Sequence, residues 1–200
     1  MIVAPNPTGT HAPGWYAYLG AGPWTGGDPD KPTYEVVNGV RMEKKMGAAE
    51  TGLANILNDA LAQYLRENNL GRSYVGMEIE LPVVGSKRKP DVAVVAEQTW
   101  PAARPIPPDA WWKVRPALAV EVVSPHELTH ATLAKVQEYF AAGVGAVWLV
   151  LPHVRQVYCY SSPTAVRILT PADDLTGDPV VPGFRLPLAA LFPPVADSQP

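Results

Sequence analysis

Glu121 stands in the middle of ALAVEVV (117–123), an apolar run that reads as a strand buried on both faces. A carboxylate there is costly to desolvate unless a positive group meets it. A second acid, Asp91, opens the preceding apolar stretch DVAVVA, directly after the KRKP turn. Side chains alternate across a strand, so Glu121 shares a face with Ala119 and Val123. If the two strands are neighbours, both carboxylates converge near strand ends, and each raises the other's pKa unless a cation lies between them. Oxygen-only ligands favour a hard divalent ion such as Mg2+ or Mn2+, which keeps several waters. An ion so held acidifies a bound water and neutralises charge building on a phosphate, which is the chemistry of phosphodiester hydrolysis.

The elements that must position these acids can be read around them. TYEVVNGVRMEKK (33–45) fits a hairpin whose tight turn is Asn38-Gly39. ETGLANILNDALAQYLRENNLG (50–71) is helical, with Leu53, Leu57, Leu61 and Tyr64 in one stripe and Gly71 as its stop. SYVGMEIELPVV (73–84) alternates as one strand, with Val75, Met77, Ile79 and Leu81 on one face and Glu78 and Glu80 on the other. A Pro-rich loop, WPAARPIPPDAWW, leads to the strand of Glu121. ELTHATLAKVQEYFAAG (127–143) is a second helix, with Leu133, Val136 and Phe140 facing the core and Gly143 ending it. Short apolar strands follow at AVWLVL, QVYCY and VRILT. Helix, three strands, helix and further strands predict an α/β or α+β sheet with helices packed on it, not a bundle or a sandwich.

Composition narrows the function classes. The chain has 200 residues, 47% of them hydrophobic, enough for one cored domain (33–192) between a Pro/Gly-dense arm (1–32) and a frayed tail (193–200). Trp15, Tyr16, Tyr18 and Trp24 in the arm argue against complete disorder there. A net charge of −3 supplies no global basic field for nonspecific nucleic-acid binding, but leaves a local groove open. The one cysteine, Cys159, excludes an internal disulfide and a Cys/His zinc framework. No apolar run is long enough to span a membrane, and the N-terminus lacks the features of a signal peptide. The expectation is a soluble, cytoplasmic protein.

KPDVAVV (89–95), then VEVVSP (120–125), then ATLAKVQEYFAAGV with VWLV behind it, resembles the Uma2 (DUF820) proteins of the PD-(D/E)xK nuclease superfamily. The likeness runs from about Tyr34 to about Phe192. It implies a restriction-endonuclease-like core, a mixed central β-sheet flanked by helices, with additional β-strands. It also implies a Mg2+-dependent endonuclease acting on DNA, and the pairing of two chains into a homodimer to cut two strands. The superfamily motif puts lysine two residues after the glutamate, where this chain has Val123. In the Uma2-like variant the lysine has moved to the following helix, and Lys135 is the matching residue, flanked by Ala131 and Tyr139. Ala131 stands where relatives often carry an acid.

The roles that the resemblance implies are these. Asp91 and Glu121 ligate the metal, and Glu50 or a water completes the shell. Lys135 orients or deprotonates the attacking water and stabilises charge on the phosphorane. Relatives commonly have histidine at position 50, and other superfamily members use a glutamate on this helix as an extra ligand. Equally, Glu50 is favourable at a helix N-terminus without any metal. Lys87, Arg88 and Lys89 can grip phosphates, or form a solvated hairpin turn.

Other readings stay open at this point. A buried Glu121–Lys135 salt bridge satisfies both residues without a metal. A catalytically silent binding or scaffold protein on the nuclease fold accounts for the acidic net charge, Val123 and Ala131. Ser124 lacks a G-x-S-x-G elbow and suits a loop cap. His126 and His130 lack an H-E-x-x-H frame and read as solvent-facing. Trp111 and Trp112 can stack bases or pack under the Pro-rich loop.

Overall fold

The computed structural model describes residues 34–37, 39–44, 47–81, 84–108, 111–124 and 129–193. The N-terminal arm, Asn38, His126 and residues 194–200 of the tail lie outside them. The described residues begin with a hairpin, β1 (Tyr34–Val37) and β2 (Val40–Glu43), in which Val37 pairs with Val40. Gly39, at φ 78°, supplies the left-handed turn that the strands' twist requires. Helix α1 (Ala48–Glu67) follows, then β3 (Gly71–Val75), β4 (Ile79–Glu80), β5 (Lys87–Arg88), β6 (Val92–Ala96), β7 (Trp112–Lys113) and β8 (Leu118–Val122). Helix α2 (Thr129–Ala141) leads to β9 (Ala146–Leu151), β10 (Gln156–Tyr160), β11 (Val166–Leu169), β12 (Asp174–Thr176), β13 (Arg185–Pro187) and the short α3 (Leu188–Leu191).

Six strands form a mixed sheet in the order β11-β10-β9-β8-β6-β3. A second sheet has the order β2-β1-β5-β4-β7, and β12 pairs with β13. Strand β8 sits inside the first sheet, antiparallel to β6 and parallel to β9, and all five of its residues are buried. Coverage on both faces explains why its sequence is a continuous apolar run rather than an alternating one. Ala54, Leu57, Leu61 and Leu65 of α1 pack with Val92, Val94, Leu118, Val120 and Val122. Val136 and Tyr139 of α2 join Val95, Ala119, Val147 and Leu149 in a separate cluster. The period of two therefore sends even residues of β8 toward α1 and odd ones, Glu121 included, toward α2.

Four expectations need correction. Leu133 is 44% exposed, and α2 buries Thr132, Lys135, Val136 and Tyr139 instead. The helix is turned so that its lysine meets a carboxylate, which apolar periodicity alone does not register. SYVGMEIE is not one strand: Gly76, at φ 56°, breaks it, and β3 and β4 belong to different sheets. Helix α1 stops at Glu67, with Asn69 (φ 53°) in the left-handed turn, and Gly71 already begins β3. The basic triplet is no solvated turn: Lys87 and Arg88 form β5 between β1 and β4, and Arg88 is buried.

Candidate active site

Asp91 precedes β6 and Glu121 lies in the adjacent β8, so their meeting follows from strand pairing. The backbone N–H of Val122 donates to Asp91 Oδ2 at 2.7 Å and fixes that carboxylate against the neighbouring strand. Glu121 is only 2% exposed. Tyr139 O–H donates to its Oε1 at 2.6 Å, while Lys135 Nζ donates to its Oε2 at 3.3 Å. Lys135 and Tyr139 stand one turn apart on α2 and grip the two oxygens of one carboxylate.

The cation between the two acids is Lys44, which leaves the end of β2 just before α1. Its Nζ lies 2.8 Å from Asp91 Oδ1 and 3.0 Å from Glu121 Oε2, and it donates to the Lys89 carbonyl at 2.5 Å. Around this centre runs a second ring of charge. Glu35, in the middle of β1, accepts from Arg88 Nη1 at 2.9 Å and from the Lys89 backbone N–H at 3.0 Å. Its Oε2 is 3.9 Å from Lys135 Nζ. Arg88 also pairs with Glu138 of α2. Among the described residues, four carboxylates (Glu35, Asp91, Glu121, Glu138) thus face three cations (Lys44, Arg88, Lys135), one carboxylate more than the cations balance.

The electrostatics of the two central acids differ. At Glu121, burial pushes the pKa up, but Lys135 and Lys44 outweigh it, helped by Tyr139, and hold the carboxyl at about 2. At Asp91, burial and the Glu121 charge win against Lys44 and raise it to about 6. Burial alone lowers Lys44, but Glu121 and Asp91 turn the net shift upward. Burial and the Glu121 charge raise Tyr139 well above its ordinary value, so it remains a hydrogen-bond donor. Glu121 is the fixed charge of the pair, and Asp91 is the acid that most needs a cation.

The fold therefore brings Asp91, Glu121 and Lys135 together. Glu50 does not join them. It is buried on α1, the helix whose apolar residues cover the opposite face of the sheet. No hydrogen bond or ion pair links Glu50 to Asp91 or Glu121. The Glu50 carboxylate folds back against Gly47 at the helix start. Of the basic triplet, Arg88 is committed to Glu35 and Glu138, and Lys89 Nζ lies 3.5 Å from Glu78. Val123 packs against the apolar cluster under α2, Ser124 is half-buried and His130 is exposed.

Sequence reasoning missed Lys44, Glu35 and Glu138. Glu35 carried a readable signal, an acid inside the hairpin strand YEVV. Lys44 carried none beyond its proximity to the hairpin, because its side chain is recruited across a long sequence separation.

Among the described residues, no three His, Cys, Asp or Glu side chains gather as a metal cluster. Asp91 and Glu121 nevertheless bracket a point where an ammonium touches one oxygen of each. With Lys44 withdrawn, this all-oxygen, anionic pair fits a hard divalent ion.

A model of the Uma2 family, described as "Putative restriction endonuclease", matches residues 21–189. No curated protein matches the chain. Among solved structures, the crystal structure of a "putative nuclease belonging to DUF820" from Anabaena variabilis ATCC 29413 is similar to it. That likeness has a TM-score of 0.67 at 15% identity and covers 80% of this chain and 90% of the other. The shared fold is restriction-endonuclease-like, a mixed α+β core. No helix among the described residues is long and apolar enough to cross a membrane.

Proposed function

Because this chain belongs to the Uma2 family, we propose that the Asp91–Glu121–Lys135 cluster is the active site of a Mg2+-dependent endonuclease that hydrolyses DNA phosphodiesters. The observation that carries the reading is Glu121. A fully buried carboxylate is kept ionised by Lys135 and Lys44 and shares Lys44 with a second acid on the adjoining strand. Ion pairs this deep contribute little net stability, and apolar residues of similar volume often serve a fold as well. Chemistry is the better account of their presence.

Asp91 and Glu121 would hold the divalent ion, with Lys44 displaced from between them. When bound, the ion supplies Lewis-acid stabilisation of phosphate charge and a more acidic water. Lys135 donates a hydrogen bond that orients the attacking water and then meets charge growing on the non-bridging phosphate oxygens. Tyr139 keeps Glu121 from rotating. Water oxygen bonds to phosphorus, the bond to the leaving sugar oxygen breaks, and that oxygen takes up a proton. The products are a phosphate monoester and a free hydroxyl.

Nicking of supercoiled plasmid with Mn2+ is the test. Wild type should nick and Lys135→Ala should not. Metal titration followed by thermal shift gives an independent readout. Bound ion stabilises by RT ln(1 + [L]/Kd), about 2.7 kcal/mol at a hundredfold excess over Kd, and Asp91→Asn should abolish the response. Neither nicking nor a metal response would leave a silent binding protein on the same fold, a reading that the bridging Lys44 favours.

A further inference from the structure

The second sheet has a face that the active site does not use. Arg88 and Glu35 project toward the ion network, while their neighbours Lys87 and Tyr34 project from the other side. There a groove of about 450 Å³ is lined among the described residues by Trp100, Trp111, Trp112, Lys87, Arg104 and Lys113, with Glu80 as its one acid. The cations lie on or beside the rings. Arg104 covers the Trp100 ring at 3.6 Å, and Lys87 Nζ is 5.5 Å from the Trp111 centroid. Beyond Trp111 the pattern continues into Tyr34, 6.0 Å away, whose ring carries Arg41 at 3.7 Å. Trp112 is the buried floor, and its indole N–H has no acceptor among the described residues.

We propose that this groove binds an unpaired stretch of single-stranded DNA, its bases on the tryptophans and its phosphates on Lys87, Arg104 and Lys113. Among the described residues three cations face one carboxylate, Glu80, which Lys113 Nζ approaches at 3.6 Å, and that excess selects an anion although the whole chain is acidic. Interleaved aromatics select an anion that carries flat faces, and only unpaired bases expose those faces. A base entering the groove displaces a cation from its ring, and that cation is then free to take the adjacent phosphate. Strand β5 carries Lys87 into the groove and Arg88 into the ion network, so the two sites sit back to back on one strand. The inference deepens the nuclease reading by naming a substrate feature, but binding itself requires no cleavage.

The test is binding of a short fluorescein-labelled oligothymidylate to the full chain in EDTA, read by anisotropy and tryptophan quenching. Wild type and Asp91→Asn should bind alike, with quenching, and more tightly than either binds the same sequence as a duplex. Trp111→Ala should weaken binding about tenfold. Lys113→Ala, at a side chain 77% exposed and so harmless to folding, should weaken it and lower the salt slope by about one. Absence of binding, equal binding by both groove variants, or preference for the duplex overturns the proposal. Plasmid nicking separates the two readings: nicking without strand binding removes the groove alone, and strand binding without nicking removes the nuclease alone.

Discussion

Cys159 and Glu121 belong to strands of one sheet, and burial disfavours the charged form of both. Cys159 packs with the α1-side cluster, where burial pushes its thiol up to about 12 with only Arg167 opposing. Glu121 faces α2, where Lys135 and Lys44 overcome the same effect and hold it at about 2. Burial therefore does not decide protonation in this protein; the supply of counter-ions does. The α1 side is a packed apolar core. The α2 side draws cations from α2, from β5 and from the segment after β2, which makes it an organised charge site.

The largest test of that contrast is Glu121→Gln. It keeps the shape and removes the charge on which two ammoniums converge. Nicking should fall by on the order of 10³-fold or more. Stability should fall by about 3–5 kcal/mol, because Lys44 and Lys135 lose a buried partner. Urea denaturation and plasmid assays on one preparation give both numbers. A variant that stays fully active would end the division of labour between the faces.

Leu57→Ala is the matching change under α1. Leu57 is fully buried, and its truncation should cost about 2–5 kcal/mol. Activity per folded molecule should stay as in wild type, as measured by nicking well below the lowered Tm. If activity fell with stability, the two faces would be one cooperative unit rather than scaffold and site.

How far the sequence reveals this contrast depends on which forces act locally. Strands β6, β8 and β9 were legible because burial in the sheet leaves runs of apolar residues; β10 and β11 were legible as short apolar stretches, although most of their residues are not buried. Asp91 and Glu121 were legible because acids break such runs, and Lys135 through the family resemblance. The orientation of α2 was not legible. Leu133, Val136 and Phe140 make the better apolar stripe, yet the helix buries Lys135 and Tyr139 because their partner Glu121 lies there. Lys44 and Glu35 reach the site through tertiary contacts with β5, with Lys89 and Asp91 just after it, and with β8, and no local period marks such pairings. The split of SYVGMEIE between two sheets turns on one glycine torsion.

Lys44→Met should give a smaller effect, and it asks whether the tethered ammonium competes with a metal ion. Lys44 occupies the point between Asp91 and Glu121, so a divalent ion must displace it. Removing it should raise apparent Mn2+ affinity about tenfold, equivalent to about 1.4 kcal/mol, measured by calorimetry on the metal-free protein. Unchanged or weaker affinity would make Lys44 a supporting residue rather than a competitor.

A change no larger than that is expected at Cys159, and its sign follows from linkage. Its folded pKa, about 12, lies above the ordinary 9.0 of an unburied thiol. The folded state therefore holds this proton more tightly than the unfolded chain does. The associated stability is fully present below about pH 9 and is lost as pH rises toward 12. By pH 10 the loss should be about 1.4 kcal/mol, one pKa unit's worth. Urea midpoints at pH 7, 9 and 10 for wild type and Cys159→Ala isolate it, since every other titrating group is common to both proteins. The difference between them should be constant from pH 7 to about 8.5 and then shrink by that amount. A constant difference up to pH 10 would mean that the thiol ionises in place, and that the α1 side tolerates an unpaired charge which the α2 side has to neutralise with lysines.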